Sequence, residues 1–251
     1  MIPAIIHQTW KTNQLPPALK AYCRSWRRFN PEADYRFYDD AGCRSFVQKE
    51  FPGFLTAYEA FHFAIQRADL FRALAVYRFG GLYADVDMEC LRPMERFFQM
   101  NGALFCIETR LTSARQGELG YRHPYQIANC IFAAEAEHPF LWDVIEKIAR
   151  LAGTKPISDP AQVEDATGPR LLTRLFFDCT GEQPHILEQV FWMPPTLFPA
   201  VFPLNKNMFA RHHFLGSWKG RASRRLSFRR RWLERSLMPN PLPAGVFHTF
   251  G

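Results

Sequence analysis

The run ADLFRALAVYRFGGLYADVD, residues 68–87, constrains this chain more than any other stretch. Leu70, Phe71, Leu74 and Ala75 recur at the three-to-four spacing of a helix pressed on a core. Gly80 and Gly81 stop that helix, and LYADV restarts as a strand. Period two puts Tyr83, Asp85 and Asp87 on one side and Leu82, Ala84 and Val86 on the other, provided the strand persists to Asp87. A helix passing through two glycines into a buried strand belongs in a layered α/β domain. It also leaves two carboxylates at the end of an apolar segment, where an ionised group needs a positive partner.

The rest of the chain alternates in the same way. Ile2 to Ile6 reads as a short buried strand, PPALKAYCRSWRRFN as a helix, and DYRFYDD as a second strand with Tyr35, Phe37 and Asp39 on one face. One helix is predicted across Phe54 to Phe79. GALFCIE and ANCIFAAE read as strands, HPFLWDVIEKIARLAG as a helix ending at Gly153, and ATGPRLLTRLFF as a turn opening a helix with Pro169 in its first turn. Between the two later strands, TRLTSARQGELGYRHPYQ reads as a long polar loop of the kind that forms lids or substrate loops. No repeat or low-complexity linker interrupts the series. The expected organisation is one domain over residues 1–218 and a basic segment over 219–251.

Composition narrows the function classes. With 251 residues and 47% hydrophobic content the chain can bury a large core. No apolar run approaches eighteen residues, and the first residues lack a basic flank and a small-residue cleavage site. The expectation is an unexported, cytoplasmic chain without a membrane span. Six scattered cysteines form no C-x-x-C pair, which argues against zinc and redox couples and for reduced thiols. The segment Lys219 to Arg235 holds eight basic residues and one acid, so it alone accounts for the net charge of +7. Within it, LSFRRRWLERSLMP interleaves arginines with Leu226, Phe228, Trp232, Leu233 and Leu237, which suits a helix lying on anionic lipid at the inner face of a membrane. A solvated basic helix or a contact with acidic partners is the alternative. A single short basic cluster without a recognition motif argues against nucleic acid.

Two carboxylates one residue apart can hold a hard divalent cation such as Mn²⁺ or Mg²⁺, and a diphosphate would complete its shell. A bare D-x-D is a short pattern, equally compatible with a capped turn or surface ion pairs. Its surroundings add to it. Asp69 and Arg72 share a helix face at i, i+3, and that helix leads directly into the acidic strand end. There Arg72 could reach a phosphate or sugar hydroxyl, and Asp69 could accept hydroxyl hydrogen bonds.

ADLFRALAVYRFGGLYADVD resembles the glycosyltransferases with a DXD-containing sugar-binding region, glycosyltransferase family 32, which include the yeast Och1-like mannosyltransferases and the α-1,4-galactosyltransferases. The clostridial glucosylating toxins carry a distant version. IPAIIHQTW, NPEADYRFYDD, NCIFAAEAEHPF, TGPRLLT and HHFLGSW are similar to further parts of the family in matching order, over roughly residues 2 to 218. The resemblance implies a GT-A fold, a Rossmann-like mixed sheet flanked by helices. It also implies a UDP- or GDP-sugar donor, Mn²⁺ or Mg²⁺, retention of anomeric configuration, and a saccharide or lipid-linked acceptor in surface polysaccharide or glycolipid synthesis. It implies that Asp87 is the direct metal ligand, that Asp85 contacts the donor ribose and the metal shell, and that Asp69 and Arg72 hold the donor sugar. His7 and Tyr83 would support the nucleotide, and Trp10 would stack on the base, although a core tryptophan after a strand is the competing account. Asn129 would face the donor sugar or acceptor, or bond its own backbone. His212, His213, Ser217 and Trp218 would close the site over metal and diphosphate; adjacent strand residues point to opposite faces, so one of the two rings would meet the metal, and His213 is favoured.

Two other classes fit parts of the chain. A metal-dependent phosphatase with an aspartyl nucleophile also carries D-x-D after a strand, but commonly near the N-terminus and with Thr or Val where Glu89 stands. A non-catalytic lipid-binding protein would explain the basic segment and leave Asp69, Arg72, Asp85 and Asp87 idle.

Overall fold

The computed structural model describes residues 1–153, 157, 159–178, 185–187 and 209–216. In chain order the elements are β1 (Ile5–Thr9), α1 (Pro17–Phe29), β2 (Asp34–Tyr38), α2 (Asp40–Glu50), α3 (Leu55–Ala60), α4 (Ala64–Phe79), β3 (Gly81–Ala84) and β4 (Met88–Cys90). They continue with α5 (Glu95–Phe98), β5 (Ala103–Arg110), α6 (Ser113–Leu119), β6 (Tyr125–Ile127), β7 (Ile131–Ala134), α7 (Pro139–Arg150), α8 (Pro160–Ala166), α9 (Pro169–Asp178), β8 (His185–Leu187) and β9 (Ala210–His212). The main sheet runs in the order β2-β1-β3-β7-β5-β6, with β8 also pairing β5. Strand β1 is parallel to β2 and β3, while β7 is antiparallel to β3 and β5, so the sheet is mixed. A separate two-stranded ribbon joins β4 to β9.

All four residues of the central strand β3 are buried, and period two divides them between two cores. Tyr83 packs with the α2, α4, α7 and α9 layer, among Phe71, Phe105, Phe132 and Phe176. Leu82 and Ala84 pack on the other face with Trp26 of α1, Met88, Met94 and Phe97. Sheet faces covered on both sides explain why β3 and β7 are apolar throughout.

The Gly80-Gly81 junction is forced by close approach. Gly80 has φ +66, and a Cβ there would lie 2.6 Å from Pro3 Cδ and 2.8 Å from the Ala136 nitrogen. Gly81 has φ +97, and its Cβ would lie 2.5 Å from the Ile5 carbonyl oxygen. Only glycine allows both this backbone conformation and this contact with β1.

Three sequence expectations change. The helix predicted over Phe54 to Phe79 breaks at Phe61–Phe63. The Phe61 carbonyl accepts from Arg67 Nη1 at 2.7 Å, and Gln66 Oε1 accepts the Phe63 N–H at 3.2 Å, which starts α4 afresh. The first strand is Ile5–Thr9, not Ile2 to Ile6, because the Ile2 N–H donates to Met100 away from the β1–β2 pairing. The polar loop between the later strands contains α6, capped by Thr112 Oγ1 accepting from the Arg115 N–H at 3.2 Å, and β6. The cysteines among the described residues are free and buried; Cys179 lies outside them. No helix of the described residues is long and apolar enough to cross a membrane. The basic segment lies outside the described residues.

Candidate active site

Strand β3 ends at Ala84, short of Asp87, and the two acids sit on a turn in which the Met88 N–H donates to the Asp85 carbonyl at 2.9 Å. The turn, not a continuous strand, places both carboxylates. It is fixed from behind: the Asp85 N–H donates to Cys130 at 2.8 Å, and buried Gln8 donates through Nε2 to the Asp85 and Ala84 carbonyls at 3.1 and 3.3 Å. Tyr35 in turn donates its hydroxyl to Gln8 Oε1 at 2.7 Å.

The positive partner of the carboxylates is Arg72. Its Nη2 lies 3.3 Å from Asp85 Oδ1 and 3.3 Å from Asp69 Oδ1, its Nη1 donates to the Asn129 carbonyl at 2.6 Å, and its guanidinium stands 4.8 Å from the Tyr83 ring centroid. Burial alone would lower the Arg72 pKa, but Asp85, Tyr83 and Asp69 around it raise it, so the guanidinium stays charged. Tyr83 donates to Asp85 Oδ1 at 2.8 Å. Burial raises the Asp85 pKa against the pull of Arg72.

Asp69 is deeper still. Its Oδ1 accepts from Asn129 Nδ2 at 3.0 Å and its Oδ2 from the Thr167 hydroxyl at 2.8 Å. Burial pushes its pKa up to about 7, opposed by Arg72 and Thr167.

Asp87 receives its partners from the far end of the described chain. His212 Nε2 is 3.3 Å from Asp87 Oδ1, and the Leu215 N–H donates to Asp87 Oδ2 at 2.9 Å. The turn between them needs Phe214 in the left-handed region, φ 49. Burial alone would raise the Asp87 pKa; the His212 ring and the Leu215 N–H outweigh it and hold the carboxyl below its usual range.

Donor atoms of Asp85, Asp87 and His212 all lie within 4.8 Å of one another. Two carboxylate oxygens and an imidazole nitrogen in that space suit a divalent cation with oxygen and nitrogen preferences, such as Mn²⁺, and Mg²⁺ through the carboxylates. The fit corrects one expectation: His212, not His213, joins this group. Antiparallel pairing sets Met88 opposite His212, on the side of the acidic turn. His213 faces the other way, with Nε2 3.0 Å from Glu89 Oε2 and its ring stacked on Tyr22.

Other candidates disperse. His7 lies apart, fully buried, donating through Nε2 to the Gly80 carbonyl at 3.0 Å; alternation along β1 turns Gln8, not His7, toward the acidic turn. Burial lowers the His7 pKa to about 4. Trp10 is half-buried and packs on the group of Leu19, Cys23 and Val86, the last of these between the two acids. Ser217 and Trp218 lie outside the described residues. Sequence reasoning assigned no role to Gln8 or Thr167. Gln8 could have been found from its place one residue beyond His7 on the strand that pairs β3; nothing in the pattern singled out Thr167.

Comparison with known proteins finds related sequences and folds. Residues 16–103 match the family described as "Glycosyltransferase sugar-binding region containing DXD motif". The inositol phosphoceramide mannosyltransferase 3 of Schizosaccharomyces pombe is 32% identical over 151 residues, 60% of this chain and 38% of that protein. The initiation-specific alpha-1,6-mannosyltransferase of the same yeast is 25% identical over 254 residues, 87% of this chain and 64% of that protein. Matches to the three inositol phosphoceramide mannosyltransferases span 38%, 40% and 43% of their lengths. Among solved structures, the galactosyltransferase LgtC superposes with a TM-score of 0.52 and 14% identity, covering 94% of this chain and 97% of that one. The fold is therefore that of GT-A glycosyltransferases, and the acidic turn lies within the matched sugar-binding region.

Proposed function

We propose, from the sugar-binding region that residues 16–103 carry, that this chain is a cation-dependent retaining glycosyltransferase. It moves a hexose from a nucleoside-diphosphate sugar to a saccharide or lipid-linked saccharide acceptor. One observation carries the reading: Asp85, Asp87 and His212 converge within 4.8 Å at the end of β3, beside a buried cationic Arg72. The mannosyltransferase names of the relatives favour mannose, and so GDP-mannose, as donor.

Asp85, Asp87 and His212 would hold the divalent cation, and a bound cation would supply charge neutralisation for the departing diphosphate. Arg72 adds a fixed positive charge that Asp69 and Asp85 keep oriented, which suits charge developing nearby without reorganisation. Tyr83 and Gln8 hold the acidic turn against the pull of a bound ligand. Trp10, half-buried beside Val86, would stack its indole on the base. Asp69 is taken up by Asn129, Arg72 and Thr167, which makes it a poor nucleophile for double displacement and favours a single displacement on the front face.

The basic segment from Lys219 to Arg235 would bring the enzyme to an anionic membrane surface on the cytoplasmic side, near a lipid-linked acceptor. Binding to anionic liposomes at physiological salt tests that part, and a chain indifferent to them refutes it.

The catalytic reading is tested by incubating the full chain with GDP-mannose, UDP-galactose, UDP-glucose and UDP-N-acetylglucosamine with and without Mn²⁺. Cation-dependent release of nucleoside diphosphate, abolished in Asp87→Ala, is expected. A wild-type chain that neither binds nor turns over any of the four with Mn²⁺ overturns it.

A further inference from the structure

Asp69 presents a puzzle of access. Its side chain is only 3% exposed, whereas that of Asp85 is 27% exposed. A group so enclosed is poorly placed to meet a sugar directly. Its hydrogen bonds point instead to a relay. The Thr167 hydroxyl donates to Oδ2, the carboxylate accepts from the Asn129 side-chain amide on Oδ1, and Arg72 Nη2 lies 3.3 Å from the same Oδ1. With its nitrogen turned inward, Asn129 directs its own Oδ1 away from Asp69. Asn129 is half-buried, and that oxygen takes no hydrogen bond from any described residue.

The turn that delivers Thr167 is built for this. The Thr167 N–H closes α8 on Val163 at 3.0 Å. Gly168 follows, where a Cβ would meet the Glu164 Cα at 2.9 Å, and Pro169 then opens α9. The glycine lets the two helices join tightly enough to seat the hydroxyl away from bulk water: Thr167 is 3% exposed. Buried hydroxyls are kept where they have a partner, and this one lies 98 residues from its acceptor in the chain.

We infer that Thr167 is a positioning residue for the donor sugar: it locks the Asp69 carboxylate so that Asn129 and Arg72 present one fixed polar face to the substrate. This rests on the glycosyl-transfer reading above. Loss of the hydroxyl leaves Asp69 Oδ2 unpaired and free to rotate, and the Asn129 amide loses its anchor. The cation group is untouched, because Asp85, Asp87 and His212 make no contact with Thr167 among the hydrogen bonds of the described residues.

The test compares full-length wild type, Thr167→Val and Thr167→Ser for Mn²⁺-dependent hydrolysis of GDP-mannose, for Mn²⁺ affinity, and for the Asn129 side-chain amide signals in nitrogen-15 spectra. Thr167→Val is expected to lower kcat/KM about tenfold with Mn²⁺ affinity unchanged, and to shift the Asn129 amide signals. Thr167→Ser restores both, since it keeps the hydroxyl and drops only the methyl. Equal impairment of the serine and valine variants would assign the effect to packing and overturn the inference, as would a valine variant with wild-type kcat/KM. The spectra separate this from failure of the enzymatic reading. If wild type hydrolyses no GDP-mannose, that reading has failed for this donor, and unmoved Asn129 signals in Thr167→Val would still refute the relay by themselves.

Discussion

Asp87 and His212 face each other at 3.3 Å across the ribbon of β4 and β9, while the neighbouring His213 bonds Glu89 on the opposite side. The two adjacent histidines therefore have separable roles. His212→Ala is expected to weaken Mn²⁺ binding by more than about 100-fold, and His213→Ala, which removes only a ring bonded to Glu89 and stacked on Tyr22, by less than about tenfold. Calorimetric titration with Mn²⁺ measures both; the reverse order would return the assignment to His213.

The two acids of the turn should affect metal-free stability with opposite signs. Burial raises the Asp85 pKa, so ionised Asp85 opposes folding, whereas Asp87 is held low and its ionised form favours folding. At neutral pH Asp85→Asn is expected to raise the Tm of the metal-free chain and Asp87→Asn to lower it. Both variants lose activity. A shared direction in thermal melts with EDTA would contradict the electrostatics of the site.

Cation binding should itself be visible as stability. Mn²⁺ at a hundred times its Kd adds about 2.7 kcal/mol to a protein that binds it only when folded. The expected upward shift of Tm on adding Mn²⁺ disappears in Asp87→Asn. A variant that responds as wild type does would place the cation elsewhere.

Acid and base act on different parts of the molecule over overlapping ranges. His7, with its pKa lowered to about 4, contributes stability that is complete above about 6.5 and lost as pH falls toward 4, on the order of 3 kcal/mol. Asp69, raised to about 7, binds its proton more tightly in the folded than in the unfolded state, so stability falls as pH rises from about 4 to 7. The slopes oppose, and the contrast with variants resolves them. His7→Gln should flatten the acid loss, and Asp69→Asn should remove the decline toward neutral pH. Metal-free melts between pH 4 and 8 read both, and parallel curves for the two variants would refute the assignment.

Gly80→Ala and Gly81→Ala are each expected to destabilise by more than about 2 kcal/mol, through strain at positive φ and collision with Pro3 or Ile5. Denaturant titration measures the loss; a neutral alanine at either site would show that the helix end can retreat from β1.

Much of the site was legible because local chemistry wrote it. The i, i+3 pair of Asp69 and Arg72, the double glycine and the acidic pair each announce themselves within a few residues, and the ordered resemblance placed them in one fold. What could not be read was set by tertiary contact. The choice between His212 and His213 depends on the register of β9 against β4, which no property of HHF encodes. Strand β3 ends early because the turn at Asp85–Met88 competes with the ladder. Thr167 matters only through a carboxylate 98 residues away. The break before α4 rests on Gln66 and Arg67 bonding backward, against a continuous apolar rhythm.

The bond from Leu215 to Asp87 joins residues 128 positions apart. Closing a loop of that length costs about 4 kcal/mol of chain entropy. The sheet can form from residues up to Ala134 and from β8 without that closure, yet the cation group cannot. On the proposed reading, metal affinity would thus be a late readout of folding: an ion could be captured only after Leu215 has closed on Asp87, and would in turn help to hold that closure.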